Sequence, residues 1–93
     1  MEFEWDPQKA SRNLRKHRVS FTEAATVFSD LLSVTVPDPD RSIEESRYIT
    51  VGMSCRFRLL IVAYAERGER TRIIGARELT RAEREAYERE IHD

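Results

Sequence analysis

The chain has 93 residues, 40% of them hydrophobic, and a net charge of −1. That size predicts one domain over 1–93 with one core, and the composition excludes a disordered or purely polyanion-binding tail. No apolar run approaches the ~20 residues needed to cross a bilayer, the acidic start Met1-Glu2-Phe3-Glu4-Trp5-Asp6 lacks the basic region of a secretion signal, and the lone Cys55 cannot form an internal disulfide, so a cytoplasmic protein without membrane association is expected.

Phe3-Glu4-Trp5 alternates like a short strand. Asp6-Pro7 then starts a helix, with Asp as N-cap and Pro in the first turn, running through about His17. Its apolar content is thin (Ala10, Leu14, then Val19 beyond its end), while Lys9, Arg12, Arg15, Lys16 and Arg18 make it strongly basic. Ser20-Phe21-Thr22-Glu23 is a capping box, and Phe21, Ala24, Ala25 and Phe28 form an apolar stripe on the helix it opens. Residues 33–36 are β-prone and end at Pro37; Asp38-Pro39-Asp40-Arg41-Ser42 reads as a turn or loop. Glu44-Glu45 leads into a strand from about 47 to 54. A turn near Cys55 precedes a second strand, 57–66. Arg67-Gly68-Glu69 predicts a three-residue hairpin turn before a third strand, 70 to about 77. Thr80-Arg81-Ala82-Glu83 is a second capping box, opening a helix to about residue 91. The order β-α-α-β-β-β-β-α predicts an α+β fold, an antiparallel sheet covered by helices.

Fourteen of the sixteen cations are Arg and only Lys9 and Lys16 are lysines. Codon bias accounts for the count as readily as function does, so position must decide. Period-2 alternation puts Arg77 with Ile73 and Gly75, and Arg72 with Ile74 and Ala76. Arg47, Arg58, Arg72 and Arg77 are expected at strand ends or on the less covered face, where adjacent arginines form a phosphate-binding surface. The competing reading is solvation or pairing with Glu45, Glu66 or Glu78. His17 either caps its helix or moves a proton near neutrality. Two widely spaced histidines and one cysteine give no metal-ligand spacing. Three isolated glycines make no phosphate loop, and no nucleophile elbow or Ser-His-Asp pattern is visible. A metal-free treatment of a phosphodiester remains. RNA supplies its own 2′-hydroxyl nucleophile, Arg stabilises the transition state, and His, Glu or Tyr moves protons.

Phe3-Glu4-Trp5-Asp6-Pro7, Lys9-Ala10, Asn13, Lys16-His17, Val19-Ser20-Phe21, Glu23-Ala24 and Val27-Phe28 resemble the opening of BrnT-type toxins. Asp38, Glu45-Ser46-Arg47-Tyr48, Gly52, Leu60-Ile61-Val62, Arg72-Ile73-Ile74, Ala76-Arg77 and Arg84-Glu85-x-Tyr87-Glu88 continue the resemblance in order. It implies a RelE-like fold with a curved antiparallel sheet, and a ribonuclease that inhibits growth and uses no metal or other cofactor; with the 2′-hydroxyl as nucleophile, a metal-independent endoribonuclease leaving 2′,3′-cyclic phosphate ends is expected. It also implies a BrnA-like antitoxin, a ribbon-helix-helix protein that neutralises the toxin and represses the operon with it, operator DNA being reached only through the antitoxin. The expected site comprises His17 as proton carrier with Glu45 as reserve base, and Arg47, Arg72 and Arg77 on phosphate. Arg58, Tyr48 and Lys16 are expected substrate contacts. Two departures stand out: Arg18 where the family commonly has Gly, expected to alter the local turn, and Gly75 where it commonly has Ser, expected to lower activity. The rival functions are a non-catalytic antitoxin-binding co-repressor and an RNA-binding domain without cleavage.

Overall fold

Side-chain caps set the helix starts. Asp6 accepts the Gln8 N–H at 2.8 Å, Ser20 Oγ accepts the Glu23 N–H at 3.0 Å, and Thr80 Oγ1 accepts the Glu83 N–H at 3.2 Å. A computed structural model describes residues 1–38 and 46–92; Glu45 and most of the expected 38–42 loop lie outside the described residues. In chain order the elements are β1 (Glu2–Glu4), α1 (Pro7–His17), α2 (Phe21–Thr26), one 3₁₀ turn (Val27–Ser29), β2 (Val34–Pro37), β3 (Arg47–Met53), β4 (Leu59–Arg67), β5 (Arg70–Glu78) and α3 (Arg81–His92). Among the described residues no helix is long and apolar enough to cross a membrane.

The five strands form one sheet in the order β1-β5-β4-β3-β2. β2 to β5 run as an antiparallel meander, but β1 joins the outer edge of β5 in parallel. The expectation of a wholly antiparallel sheet is corrected there: two helices and three strands separate β1 from β5, and this long connection brings the chain back beside β1 in the same direction. The β4–β5 turn is shorter than expected. Arg67 pairs directly with Arg70, leaving only Gly68-Glu69 in the loop, and Gly68 takes φ 62° as such a tight turn requires.

α1 and α2 cover one sheet face. Val19, Phe21, Ala24 and Val27 pack there against Leu60, Val62, Ile73 and Ala76, with Phe3, Trp5, Ala10 and Phe28 at the margin. Of the apolar residues in and beyond α1, Leu14 is 48% exposed and Val19 is fully buried. The opposite sheet face is only partly covered. α3 crosses its β2–β4 side and leaves an apolar groove of about 310 Å³ against Val34, Val36, Val51 and Ile61. Tyr87 anchors α3 by donating to the Leu32 carbonyl at 2.9 Å.

α1 ends at Arg18, whose φ of 60° and ψ of 30° are left-handed, with its N–H on the Leu14 carbonyl. The turn therefore keeps the geometry that glycine favours, although a non-glycine residue pays roughly 1 kcal/mol of strain there. Asn13 fixes α1 to the sheet. Its amide donates to the Val19 carbonyl (3.0 Å) and the Ala76 carbonyl (2.8 Å), and its Oδ1 accepts the Ala76 N–H (3.1 Å). One side chain thus satisfies β5 where β1 no longer reaches it. Asn13→Ala orphans those groups and is expected to lower stability by about 1–3 kcal/mol; urea unfolding should show a lower midpoint with an unchanged slope.

Candidate functional site

The position of the arginines depends on an irregularity in β5. Ala63 pairs with Gly75 but Tyr64 pairs with Ile73, so Ile74 is an extra residue opposite no partner. This β-bulge shifts the side-chain phase by one between Gly75 and Ile73. Burial follows the shift: Thr71, Ile73 and Ala76 are buried, at spacings of two and then three. Regular alternation separates Arg72 from Arg77. The bulge returns both to the face of Ile61, Ala63 and Ala65, since Arg72 pairs with Ala65 and Arg77 with Ile61. Arg47 pairs with Ala65 from the other side and joins the same face. The Arg72 and Arg77 rows lie four β4 residues apart, roughly 13 Å, so the two suit different phosphates of a chain rather than one.

Arg58 is on the other face. Its guanidinium meets Glu23 of α2 through Nε (2.9 Å to Oε2) and through a short Nη2–Oε1 contact; Nη2 also donates to the Arg18 carbonyl at 2.9 Å. Glu23 is only 5% exposed and also accepts the Ser54 hydroxyl at 2.7 Å. The hydrogen bond from Arg58 holds the Glu23 carboxyl below its ordinary range against the opposing effect of burial. Removing either partner of such a buried pair costs roughly 3–5 kcal/mol. The expected substrate contact at Arg58 is therefore placed in a structural ion pair that closes the end of α1. Tyr48 also lies away from the arginine face. It stacks on Tyr64 at 5.6 Å, in a row of rings that continues through Phe28 to Phe3.

Arg72 and Arg77 have acidic neighbours. Arg72 donates to Glu4 at 2.8 Å, and this bond is the main cause of the lowered Glu4 pKa. Arg77 forks onto Glu83 of α3 at 2.8 and 3.0 Å. Glu83 Oε1 also accepts the Thr80 N–H at 2.8 Å, so one carboxylate completes the α3 cap and tethers the helix to the sheet. The Arg77 hydrogen bond, followed by that of the Thr80 backbone, pulls the Glu83 pKa down to about 2.

His17 is half-buried and stands between two depressions. In one, of about 270 Å³, it faces Arg77 across Ile49, Ile61, Ala63 and Gly75. In the other, of about 300 Å³, it joins Lys9, Arg12 and Lys16 over Ile74, the bulge residue. Asn13 lines both and holds α1 in register with β5. Gly75 has room for a side chain, since an added Cβ meets nothing closer than Asn13 Oδ1 at 3.8 Å. α1 contains no acidic residue. Among the described residues, Lys9, Arg12, Arg15, Lys16 and Arg18 meet no carboxylate at ion-pair distance. The structure thus brings His17, Arg77 and Lys16 together, sets Arg47 and Arg72 farther along the same sheet face, and places Arg58 and Tyr48 elsewhere. Sequence reasoning read α1 as strongly basic but placed the phosphate-binding surface on the strands, and it missed Asn13 as an organiser. A polar, poorly helix-forming Asn in mid-helix was the available signal for that. Among the described residues no three His, Cys, Asp or Glu side chains group as a metal site would need.

A family profile described as "Ribonuclease toxin, BrnT, of type II toxin-antitoxin system" matches residues 5–83. The fold is similar to the 1.1 Å crystal structure of the Brucella abortus ribonuclease toxin BrnT, with a TM-score of 0.69 and 20% identity over 87% of this chain and 99% of that one. No curated protein sequence matches.

The low Glu83 pKa has a measurable consequence. A carboxylate depressed from 4.5 to about 2 adds stability above pH 4.5 and loses it as pH falls towards 2. The melting temperature of the wild type should therefore fall towards that of Glu83→Gln between pH 4.5 and 2, with a constant difference above pH 5. A gap that persists undiminished at pH 2 contradicts the assignment.

Proposed function

This chain belongs to the BrnT family of ribonuclease toxins of type II toxin–antitoxin systems, and from that premise we propose that it is a metal-independent endoribonuclease centred on His17 and Arg77. The observation that carries the reading is the position of His17, shared between a basic depression on α1 and a cavity holding a guanidinium. The phosphodiester chain lies along Lys9, Arg12 and Lys16, whose charges meet no acidic neighbour among the described residues. His17 then reaches the 2′-hydroxyl or the leaving oxygen, and Arg77 stabilises the charge that develops on the phosphate. Arg47 and Arg72 contact neighbouring phosphates on the same face. The 2′-oxygen attacks phosphorus, the P–O5′ bond breaks, and the products are a 2′,3′-cyclic phosphate and a 5′-hydroxyl. The second proton carrier is Glu45 in this scheme.

Arg77 must share its guanidinium between Glu83 and the phosphate, or exchange one for the other. Its Nε–H and the remaining Nη hydrogens supply the capacity. We class the fold as RelE-like, on the support of the antiparallel β2–β5 meander with helices packed on it. The partner is a BrnA-like antitoxin that neutralises the toxin and brings it to operator DNA in the cytoplasm. Direct inhibition requires an acidic or amphipathic antitoxin segment over the cationic face. A co-repressor without chemistry would leave growth untouched when the chain is expressed alone.

Purified protein should cleave single-stranded RNA in the presence of EDTA. His17→Ala is expected to lower the cleavage rate about 10²-fold or more, and Arg77→Ala by a similar factor, with the folded state checked by circular dichroism. Loss of cleavage on chelation, or full activity in both variants, contradicts the proposal. Gly75→Ser fits the cavity wall and adds a hydrogen-bonding hydroxyl beside His17. It is expected to raise kcat/KM several-fold without changing the melting temperature; equal or lower activity removes Gly75 from the site.

A further inference from the structure

The β3–β4 hairpin tip, residues 54–58, carries an aromatic side chain that the site described above does not use. Phe57 is 86% exposed, the largest exposed fraction of any aromatic ring among the described residues' large exposed hydrophobics. Its backbone takes φ 61°, and it shares this left-handed conformation, among the described non-glycine residues, only with Arg18. A hairpin loop of this length normally gives that position to glycine. A large ring held there gains no burial to offset the strain, and such strain is characteristic of binding positions.

The tip is rigidly built. The Phe57 N–H donates to the Ser54 carbonyl at 2.9 Å, and the Ser54 N–H donates to the Arg58 carbonyl at 2.8 Å. The Ser54 hydroxyl, buried against Glu23, accepts from the Arg56 N–H (3.2 Å) and the Arg58 N–H (3.3 Å). Thr26 Oγ1 accepts the Cys55 N–H at 2.9 Å and ties the tip to α2. The ring is therefore presented in advance by a framework that ordering on binding need not create.

Its surroundings point to one chemical class. Arg58, the next residue, contacts the Arg18 carbonyl and lies 3.5 Å from the Glu78 carboxylate. Through Arg58 the tip therefore touches the residues that follow His17 and Arg77 in the chain. Arg56 and Arg18 are exposed; Arg18 meets no carboxylate at ion-pair distance among the described residues, and Arg56 acts electrostatically on the buried Glu23 while its side chain stays open to solvent. An exposed ring flanked by cations matches a nucleobase flanked by phosphates.

We propose that Phe57 is a stacking platform for an unpaired base of single-stranded RNA, extending the His17–Arg77 site by a neighbouring nucleotide while Arg56 and Arg18 meet its phosphates. The assignment rests on the ribonuclease reading and deepens it. Because any base has a π-face, the platform adds affinity with little sequence preference.

The test uses a fluorescein-labelled, fully 2′-O-methylated 12-mer RNA, which lacks the nucleophile and cannot be cut. Binding by anisotropy is measured for the wild type, Phe57→Gly and Phe57→Trp, with melting temperatures in parallel. Phe57→Gly relieves the left-handed strain, so its melting temperature is expected to hold or rise while its affinity falls about ten-fold. Phe57→Trp is expected to bind within about two-fold of the wild type. Unchanged affinity in Phe57→Gly overturns the proposal. So does a fall in melting temperature that accompanies the loss of binding, since the ring would then be structural. Unchanged RNA affinity with lost neutralisation by a co-expressed antitoxin overturns it in favour of a protein contact. A wild type that cuts ordinary RNA while Phe57→Gly binds normally removes only the platform. A wild type that neither binds nor cuts removes the ribonuclease reading as well.

Discussion

A single unpaired residue in β5 sets the phase of the whole working face. Ile74 has no partner on β4, and the bulge it forms reverses the side-chain parity between Gly75 and Ile73. Without it, either Arg72 or Arg77 would point into the Val62–Ile73–Ala76 core, where an unpaired guanidinium is prohibitively costly. With it, the core face stays apolar and both arginines share the opposite face with Arg47. The same residue floors the depression beneath Lys9, Arg12 and His17. The irregularity in the sheet thus fixes strand arginines and helix floor together, and Asn13 locks α1 over it by bonding both polar groups of Ala76.

The ion pairs divide the cations by task. Arg58 is bound to a buried carboxylate and braces the αL end of α1, the residue after His17, through the Arg18 carbonyl. Arg72 holds β1 against β5 through Glu4, and Arg77 holds α3 through Glu83. The cations without such partners among the described residues are concentrated on α1, with Arg84 and Arg89 on α3. Charge that is already neutralised adds less to phosphate binding than charge that is not. A chain of net charge −1 thus keeps an unpaired basic surface on α1, because α1 itself carries no acid and Glu4, Glu23 and Glu83 are engaged by arginines elsewhere.

Much of the fold was legible because it rests on local rules. The three caps at Asp6, Ser20 and Thr80, the apolar stripe of α2 and the strand-forming runs are each written within a few residues. The order of helices and strands followed from them. What failed was non-local or depended on one-residue phase: the parallel docking of β1 and the two-residue turn at Gly68-Glu69. In the candidate site, His17, Lys16, Arg47, Arg72 and Arg77 were proposed from residue type and from resemblance. That Arg58 and Tyr48 lie away from the face of Arg47, Arg72 and Arg77 was not legible, because a periodic reading says which residues alternate but not which face the helices cover.

By itself, the sequence determined the helix boundaries, the α+β composition, the basic character of α1 and the membership of a toxin family, since these reside in neighbouring residues and ordered motifs. Only the tertiary structure decided which arginines are paired, which share a face, and that His17 lies between the helix cations and Arg77. The physical reason is register: a bulge of one residue inverts every side chain beyond it, and the carboxylates that capture Arg58, Arg72 and Arg77 come from α2, β1 and α3, elements whose places are fixed only when the core closes.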